Sequence, residues 1–125
     1  MIGFVMVGTN DLNKAINFYD LLLKTIDLER TIINEKYAGY SPKGKVGDVE
    51  FYVSIPANKE KATYGNGTQI SFEVSSKYNV DKFYNLGIKL GGKDEGAPGI
   101  RSGDYYCYIR DLDGNKICTF FKITN

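Results

Sequence analysis

The stretch that decides the fold lies near the end of the chain and reads R-D-L-D-G-N-K-I-C-T-F-F at residues 110–121. Asp111, Asp113 and Asn115 alternate before an apolar run, as oxygen ligands do at the start of a calcium-binding loop. An EF-hand loop also needs a third acid, a terminal glutamate and a helix on each side, which this stretch lacks. The pattern instead predicts a hairpin between two strands, with a type I turn followed by Gly114 in the left-handed conformation.

A hairpin here fixes which side chains share a face of the sheet, because residues that pair across two strands point the same way. If Asp111 lies opposite Asn115, one face carries Tyr106, Tyr108, Cys118 and Phe120. Cys107 then falls on the opposite face, so the two cysteines are not expected to form a disulfide. Two cysteines without an export signal also predict reduced thiols and a cytoplasmic location.

Length and composition restrict the class of protein. The 125 residues suffice for one domain, and 42% hydrophobic with 25% charged residues is typical of globular chains. The net charge is +1 with no basic stripe, which predicts no nucleic-acid binding, and no apolar run is long enough to predict a membrane span. Histidine is absent, which excludes a histidine base, a histidine-activated nucleophile and an imidazole metal ligand.

The order of predicted elements occurs twice along the chain, which indicates an internal repeat of β-α-β-β-β units. The first half predicts a strand at 2–8, a helix that follows caps at 9–11 and ends near 23–25, and strands at 28–34, 37–41 and 48–55. After a polar linker, the second half predicts a strand at 68–74, a helix from Ser75–Ser76 to a stop at Gly87, a brief segment at 88–90, a glycine-rich loop at 91–103, and strands at 104–111 and 115–122.

Alternation within the strands separates two kinds of face. One face is apolar, as in Ile70 and Phe72, and is expected to pack under a helix. The other face is polar or aromatic and includes Glu50, Tyr52, Gln69, Ser71 and Glu73.

Four stretches, in order, resemble the vicinal oxygen chelate superfamily: V-G-T-N-D-L-N-K-A-I-N-F-Y-D, G-N-G-T-Q-I-S-F, G-G-K-D-E-G-A-P-G-I-R and Y-Y-C-Y-I-R-D-L-D-G-N-K-I-C. That superfamily contains glyoxalase I, the bleomycin-resistance proteins and the extradiol dioxygenases, and the resemblance is strongest to its small bacterial glyoxalase-like members. It implies an α+β fold of one domain, with modules at about 1–56 and 67–125 joined by a linker at about 57–66. The two β-α-β-β-β modules are expected to curl into a mixed-sheet cup and to form a homodimer.

Family enzymes hold one divalent metal in the cup, and the resemblance places its ligand positions at Phe4, Gln69 and Cys118. Phe4 cannot ligate, Gln69 is a neutral oxygen donor, and a lone thiolate suits no hard divalent ion. The resemblance therefore implies that this chain has no family metal and needs no cofactor. It implies a ligand pocket formed by Phe4, Tyr52, Gln69, Ser71, Tyr106, Tyr108 and Cys118. The length of the loop at 91–103 predicts a flap over this pocket or an interface segment, which adds Arg101 as a pocket candidate that either meets an anionic ligand or lies in solvent.

Two main functions follow from this pocket. In the first, the chain binds a small planar or partly aromatic molecule without metal, as bleomycin-resistance-type members act by sequestration. In the alternative, it is a glyoxalase-like lyase or isomerase that uses a nonstandard metal site, or Glu50 or Glu73 as a general base. A third reading is an interaction module with no ligand. Cys118 is either a small buried residue or a nucleophile activated by a nearby arginine.

Overall fold

In the computed structural model, which describes residues 1–123, the chain forms two compact units. The first unit is Met1–Tyr64 and the second begins at Gly65. Each unit has one helix and four strands in the order β-α-β-β-β, which confirms the predicted α+β class and internal repeat. The elements are β1 (Val5–Gly8), α1 (Leu12–Lys24), β2 (Leu28–Ile33), β3 (Tyr37–Pro42), β4 (Phe51–Ser54), β5 (Ile70–Glu73), α2 (Lys77–Lys89), β6 (Lys93–Arg101), β7 (Asp104–Arg110) and β8 (Lys116–Phe121).

The sheet of the first unit is mixed, with the spatial order β1-β4-β3-β2 and parallel pairing only between β1 and β4. α1 begins after Asp11, whose carboxylate accepts a hydrogen bond from the Lys14 N–H at 3.1 Å. The apolar side of α1 packs on the sheet, where the rings of Tyr19 and Phe51 have centroids 5.0 Å apart. The core of this unit therefore lies between α1 and one face of the sheet.

The sheet of the second unit is built in the same way, with the order β5-β8-β7-β6 and parallel pairing between β5 and β8. α2 is capped by Ser76, as predicted, whose hydroxyl accepts a hydrogen bond from a first-turn N–H. The Tyr105 hydroxyl donates to the Asp81 carboxylate at 2.6 Å, and the Cys107 thiol donates to the Val80 carbonyl at 3.7 Å. α2 therefore covers the odd-numbered face of β7, and the even-numbered residues lie on the opposite face.

Both helices are amphipathic and short. α1 and α2 contain 13 residues each, and their buried residues lie along one side. No helix within residues 1–123 is long and apolar enough to cross a membrane.

The hairpin between β7 and β8 confirms the register predicted from residues 110–121. The Asp111 N–H donates to the Asn115 carbonyl at 2.9 Å, and the Gly114 N–H donates to the Asp111 carbonyl at 3.1 Å, which closes the turn. Gly114 has φ 89°, the left-handed conformation that the loop requires. The cross-strand pairs include Tyr106 with Phe120, Cys107 with Thr119, and Tyr108 with Cys118.

The prediction that α2 stops at Gly87 is wrong. Backbone hydrogen bonds continue through the next residues, with the Leu90 N–H donating to the Leu86 carbonyl at 2.9 Å, so the helix runs to Lys89. The left-handed residue that ends the helical course is Gly91, at φ 106°. The brief segment predicted at 88–90 is thus the end of α2.

The prediction of a glycine-rich loop at 91–103 is also wrong, because Lys93–Arg101 forms strand β6. β6 pairs with β7 and contains two irregularities, between Asp94 and Gly96 and between Gly96 and Gly99. A Cβ added to Gly96 would lie 2.8 Å from a ring carbon of Tyr108. The glycines therefore allow the bulges of β6 and the close approach of the Tyr108 ring. The glycine-rich pattern that predicted a loop belongs to a bulged strand.

Replacing Asp111 with alanine should lower the free energy of unfolding by about 2–3 kcal/mol, because it removes an acceptor from buried polar groups. The Asp111 carboxylate accepts hydrogen bonds from the Asp113 N–H, the Asn115 N–H and the Asn115 side-chain amide, each at 2.9 Å. Urea unfolding measures the change. The control is Asp48→Ala on an exposed loop of the first unit, which should change stability by less than about 0.5 kcal/mol. Equal effects of the two substitutions would contradict the role of this carboxylate.

Candidate functional site

Three rings of the second unit lie on the sheet face opposite α2. Tyr106 and Tyr108 alternate along β7, and Phe120 pairs with Tyr106 across β8. The ring planes of Tyr106 and Tyr108 differ by 2° with centroids 6.1 Å apart, and those of Tyr106 and Phe120 differ by 16° with centroids 5.3 Å apart. We call these three residues the aromatic face. These rings stack on one another in parallel and offset planes, and together they form an aromatic surface of the kind that lines small-molecule sites.

Two positive charges lie close to the Tyr108 ring. The guanidinium carbon of Arg101 is 5.3 Å from the ring centroid, and the ammonium nitrogen of Lys116 is 5.0 Å from it. Both distances are within the range of cation–π attraction. Desolvation raises the pKa of the Tyr108 hydroxyl, so this hydroxyl is protonated at neutral pH and can donate a hydrogen bond.

Arg101 is held in place by the backbone of its own strand and the next. Its Nη1 donates to the Tyr106 carbonyl at 2.8 Å, and its Nη2 donates to the Ala97 carbonyl at 2.7 Å. A Cβ added to Gly96 would lie 3.2 Å from Nη2, in addition to its clash with Tyr108. The bulged, glycine-containing strand therefore provides the space in which Arg101 lies against the Tyr108 ring.

Cys118 lies at the buried base of the same face. Burial raises the pKa of its thiol to about 11, against the opposing effects of a Ser71 hydrogen bond and of the charges on Lys116 and Arg101. A thiol with this pKa is protonated at neutral pH and is a poor nucleophile. The structure therefore favours a buried structural role for Cys118 over an activated one.

The positions that the resemblance assigns to the family metal do not fit a hard divalent ion. Phe4 has no donor atom, and the thiol of Cys118 is buried and protonated. The Gln69 amide nitrogen donates to the Ser71 hydroxyl at 2.8 Å. Within residues 1–123, no group of three or more His, Cys, Asp and Glu side chains is placed to hold a metal ion.

Two predicted pocket residues, Phe4 and Tyr52, belong to the first unit. Tyr52 alternates with the buried Phe51, so it lies on the sheet face opposite α1. Its ring meets Phe4 edge-on with centroids 5.0 Å apart and meets Tyr37 edge-on at 5.5 Å. Gly39 makes room for it, because a Cβ there would lie 2.9 Å from a Tyr52 ring carbon. This is a second aromatic cluster, described within its own unit.

The first unit also contains an open cleft of about 810 Å³ that the sequence did not reveal. It lies at one end of the sheet, where Gly8 pairs with Ser54 and Ser54 pairs with Tyr37. Its lining is Met6, Val7, Gly8, Lys36, Tyr37, Ser54, Ile55, Pro56, Ala57 and Lys59. The sequence pattern assigned these residues to three separate strands, a turn and a linker, and only the strand register brings them together.

The two candidate general bases are exposed and lie in different units. Glu50 precedes β4 in the first unit, and Glu73 ends β5 in the second. The Glu73 carboxylate is 3.8 Å from the Lys122 ammonium. Neither carboxylate is in the desolvated setting that usually tunes a general base.

The strand register therefore brings most of the predicted pocket onto one face of the second unit. These residues are Gln69, Ser71, Arg101, Tyr106, Tyr108 and Cys118. Sequence reasoning missed Lys116 as a member of this face. Lys116 pairs with Arg110 in the confirmed register, but its position over the Tyr108 ring depends on the conformation of a long side chain.

We expect neither cysteine of the native protein to react with a thiol reagent at neutral pH, and both to react in denaturant. Cys107 and Cys118 are free and buried, and burial raises both pKa values. Alkylation followed by mass spectrometry should be at least about a hundredfold slower in the native state than in the unfolded chain. Rapid native labelling of Cys118 would show an activated nucleophile instead.

The same thiols should make the protein less stable in alkali. An unfolded cysteine ionises near a pH of about 8.5, whereas Cys118 has a folded pKa of about 11. As the pH rises through this window, the unfolded chain loses its proton first, so the free energy of unfolding decreases. Unfolding measured across the window should show a smaller decrease in Cys118→Ala than in the unmodified chain.

Comparison with known proteins agrees with this architecture. A glyoxalase/bleomycin resistance protein from Albidiferax ferrireducens T118 is 37% identical, with a TM-score of 0.87 over 96% of this chain and 97% of that one. A glyoxalase/bleomycin resistance protein/dioxygenase family enzyme from Burkholderia phytofirmans PsJN is 17% identical, with a TM-score of 0.74 over 98% of both chains. The fosfomycin resistance protein FosX from Mesorhizobium loti is 15% identical, with a TM-score of 0.69 over 97% of this chain and 91% of that one.

The last two similarities show the fold alone. No protein-family model and no curated protein sequence matches the chain. The first similarity extends over nearly the full length of both chains at more than a third identity. The chain therefore belongs to the glyoxalase/bleomycin resistance protein family of the vicinal oxygen chelate superfamily.

Proposed function

We propose that this protein binds a small planar molecule on the aromatic face of its second unit and does so without a divalent metal. The observation that carries the proposal is the common orientation of the Tyr106, Tyr108 and Phe120 rings. Parallel rings on one strand pair offer van der Waals contact and stacking to any flat ligand. Gln69, Ser71 and the Tyr108 hydroxyl supply hydrogen-bonding groups near them.

The chemistry at the family metal positions supports binding without metal. In this family, metal chemistry relies on an ion that acts as a Lewis acid toward the substrate. Phe4, Gln69 and a buried Cys118 thiol give such an ion neither charge nor a set of hard oxygen ligands. The name of the relative from Albidiferax ferrireducens combines glyoxalase and bleomycin resistance, so membership allows either an enzyme or a binding protein.

The alternative, a lyase or isomerase with Glu50 or Glu73 as general base, stays a prediction. Both carboxylates are exposed, and Glu73 lies beside a lysine. No contact of either residue favours proton abstraction from a bound molecule.

Replacing Tyr106 with alanine should weaken the binding of a flat neutral probe such as coumarin by about tenfold, because Tyr106 is the ring that contacts both others. Calorimetry with the full chain gives the affinity after a panel of planar aromatic molecules has been screened by thermal shift. The matched control is Tyr78→Ala, since Tyr78 is an exposed tyrosine on α2, on the other side of the sheet.

Metal dependence is tested in the same samples. Elemental analysis of untagged protein, with divalent metals supplied during growth, should show no stoichiometric metal, and a chelator should leave the probe affinity unchanged. One ion per chain whose removal abolishes binding would contradict the metal-free proposal. Equal losses in Tyr106→Ala and Tyr78→Ala would contradict the assignment to the aromatic face.

We further propose that the protein is a homodimer in which apolar side chains of the first unit are covered by a second copy. Phe4 is 57% exposed and Met6 is 51% exposed, and both lie on or beside β1, at one edge of the sheet. Large apolar side chains grouped at a sheet edge mark interaction surfaces in soluble proteins.

Replacing Met6 with aspartate should raise the dimer dissociation constant by at least about tenfold, because it places a charge in an apolar contact. Analytical ultracentrifugation measures the constant. The control is Leu21→Asp on α1, which introduces the same charge at a side chain that is 53% exposed but lies on the helical side of the unit. A monomeric unmodified protein would contradict the proposal.

A further inference from the structure

We infer that the ligand of the aromatic face is an anion, an aromatic carboxylate or a similar oxyanion, whose charge is attracted by Arg101 and Lys116 beside the Tyr108 ring. The inference rests on the proposed function, since it assigns the chemical class of molecule that the aromatic face accepts. Three observations support it: the positions of the two cations beside the Tyr108 ring, the hydrogen bonds that orient Arg101, and the ion pairs that neighbouring charged residues form with each other.

The two cations reach one ring from two different strands. β6 and β8 are the neighbours of β7 on either side, and Arg101 comes from β6 while Lys116 comes from β8. Their charged groups lie 5.3 Å and 5.0 Å from the centroid of the Tyr108 ring between them. An anion bound beside this ring would be attracted by both charges.

Neither cation is neutralised by the protein within residues 1–123. Neighbouring charges form pairs elsewhere: Arg110 with Glu95 at 3.3 Å, and Lys122 with Glu73 at 3.8 Å. Asp104 lies opposite Arg101 in the β6–β7 pairing, and its carboxylate accepts the Ile123 N–H at 2.9 Å. The face therefore has an excess of positive charge next to its rings.

Arg101 is oriented before any ligand arrives. One N–H of each terminal nitrogen is used on the carbonyls of Tyr106 and Ala97, which fixes the guanidinium plane. The remaining N–H groups stay available, and a planar guanidinium recognises a flat carboxylate better than a spherical ion. Gly96 admits this arrangement, because a Cβ there would meet both Tyr108 and the guanidinium.

The rest of the face agrees with an aromatic anion rather than an inorganic one. Tyr106 stacks on Tyr108 and on Phe120, which adds aromatic surface next to the ring that the cations contact. A ligand with a ring and a carboxylate in one plane would stack on the rings and place its charge near Arg101 and Lys116. Inorganic phosphate would use only the cations and leave the aromatic surface without a contact.

The test compares two probes of the same shape, cinnamate and its neutral amide cinnamamide, on the full chain by calorimetry. Cinnamate should bind at least about tenfold more tightly than cinnamamide at low ionic strength, because charge-assisted hydrogen bonds are roughly twice as strong as neutral ones. The preference should shrink as ionic strength rises from about 0.01 M to 1 M, over which the Debye length falls from about 30 Å to 3 Å.

Lys116→Gln is the main variant, and it should reduce the preference for cinnamate over cinnamamide to within about threefold. Its matched control is Lys82→Gln, because Lys82 lies 5.9 Å from the Tyr78 ring on α2 in the same kind of contact. Arg101→Gln should abolish the preference as well, and its melting temperature is measured because Arg101 also bonds to backbone carbonyls.

The outcomes separate this inference from the proposed function. Equal binding of the two probes, with loss of both in Tyr106→Ala, would overturn the anion and leave the aromatic face standing. Binding of neither probe, nor of any planar molecule in the screen, would overturn both. Preference for cinnamate that survives both Lys116→Gln and a folded Arg101→Gln would place the anion elsewhere and refute the assignment.

Discussion

The buried carboxylate of Asp111 is the constraint on which the second unit depends. By accepting hydrogen bonds from Asp113 and Asn115, it holds a turn that admits one pairing of β7 with β8. A shift of that pairing by one residue would move every side chain of a strand to the other face. The turn thus decides that Cys107 lies under α2 and that Tyr106 and Tyr108 lie on the opposite face. A short polar loop therefore fixes the composition of a face formed by residues on both strands.

Sequence reasoning succeeded where the determinant was local. The hairpin, the helix caps and the alternation of the strands each depend on a few consecutive residues, and Ser76 and Gly114 behave as their residue types predict. It failed at β6, whose glycines resemble a loop. A strand with bulges is defined by the partner that it pairs with, here Tyr108 and its neighbours on β7, and no local pattern contains that partner.

The candidate site likewise has one part that local sequence pattern predicts, the aromatic residues and Cys118, and one part that it does not, the two cations. Alternation within each strand, together with the register of the hairpin, predicts Tyr106, Tyr108 and Cys118 on one face. Arg101 was predicted as a pocket residue from its place in a supposed loop, whereas its contact with Tyr108 exists because β6 is a strand. The position of Lys116 over that ring depends on the rotamers of a long, flexible side chain, which neither parity nor resemblance specifies.

The side chain at position 118 and the two cations beside the rings are linked by electrostatics. The resemblance assigns a family metal ligand to the position of Cys118, and the charges of Lys116 and Arg101 act on the group at this position. A carboxylate there would attract those cations and reduce the positive charge beside the rings. A neutral thiol leaves that charge intact. On our proposal, the residue that is least suited to a hard metal ion therefore favours an anionic ligand on the same face of the sheet.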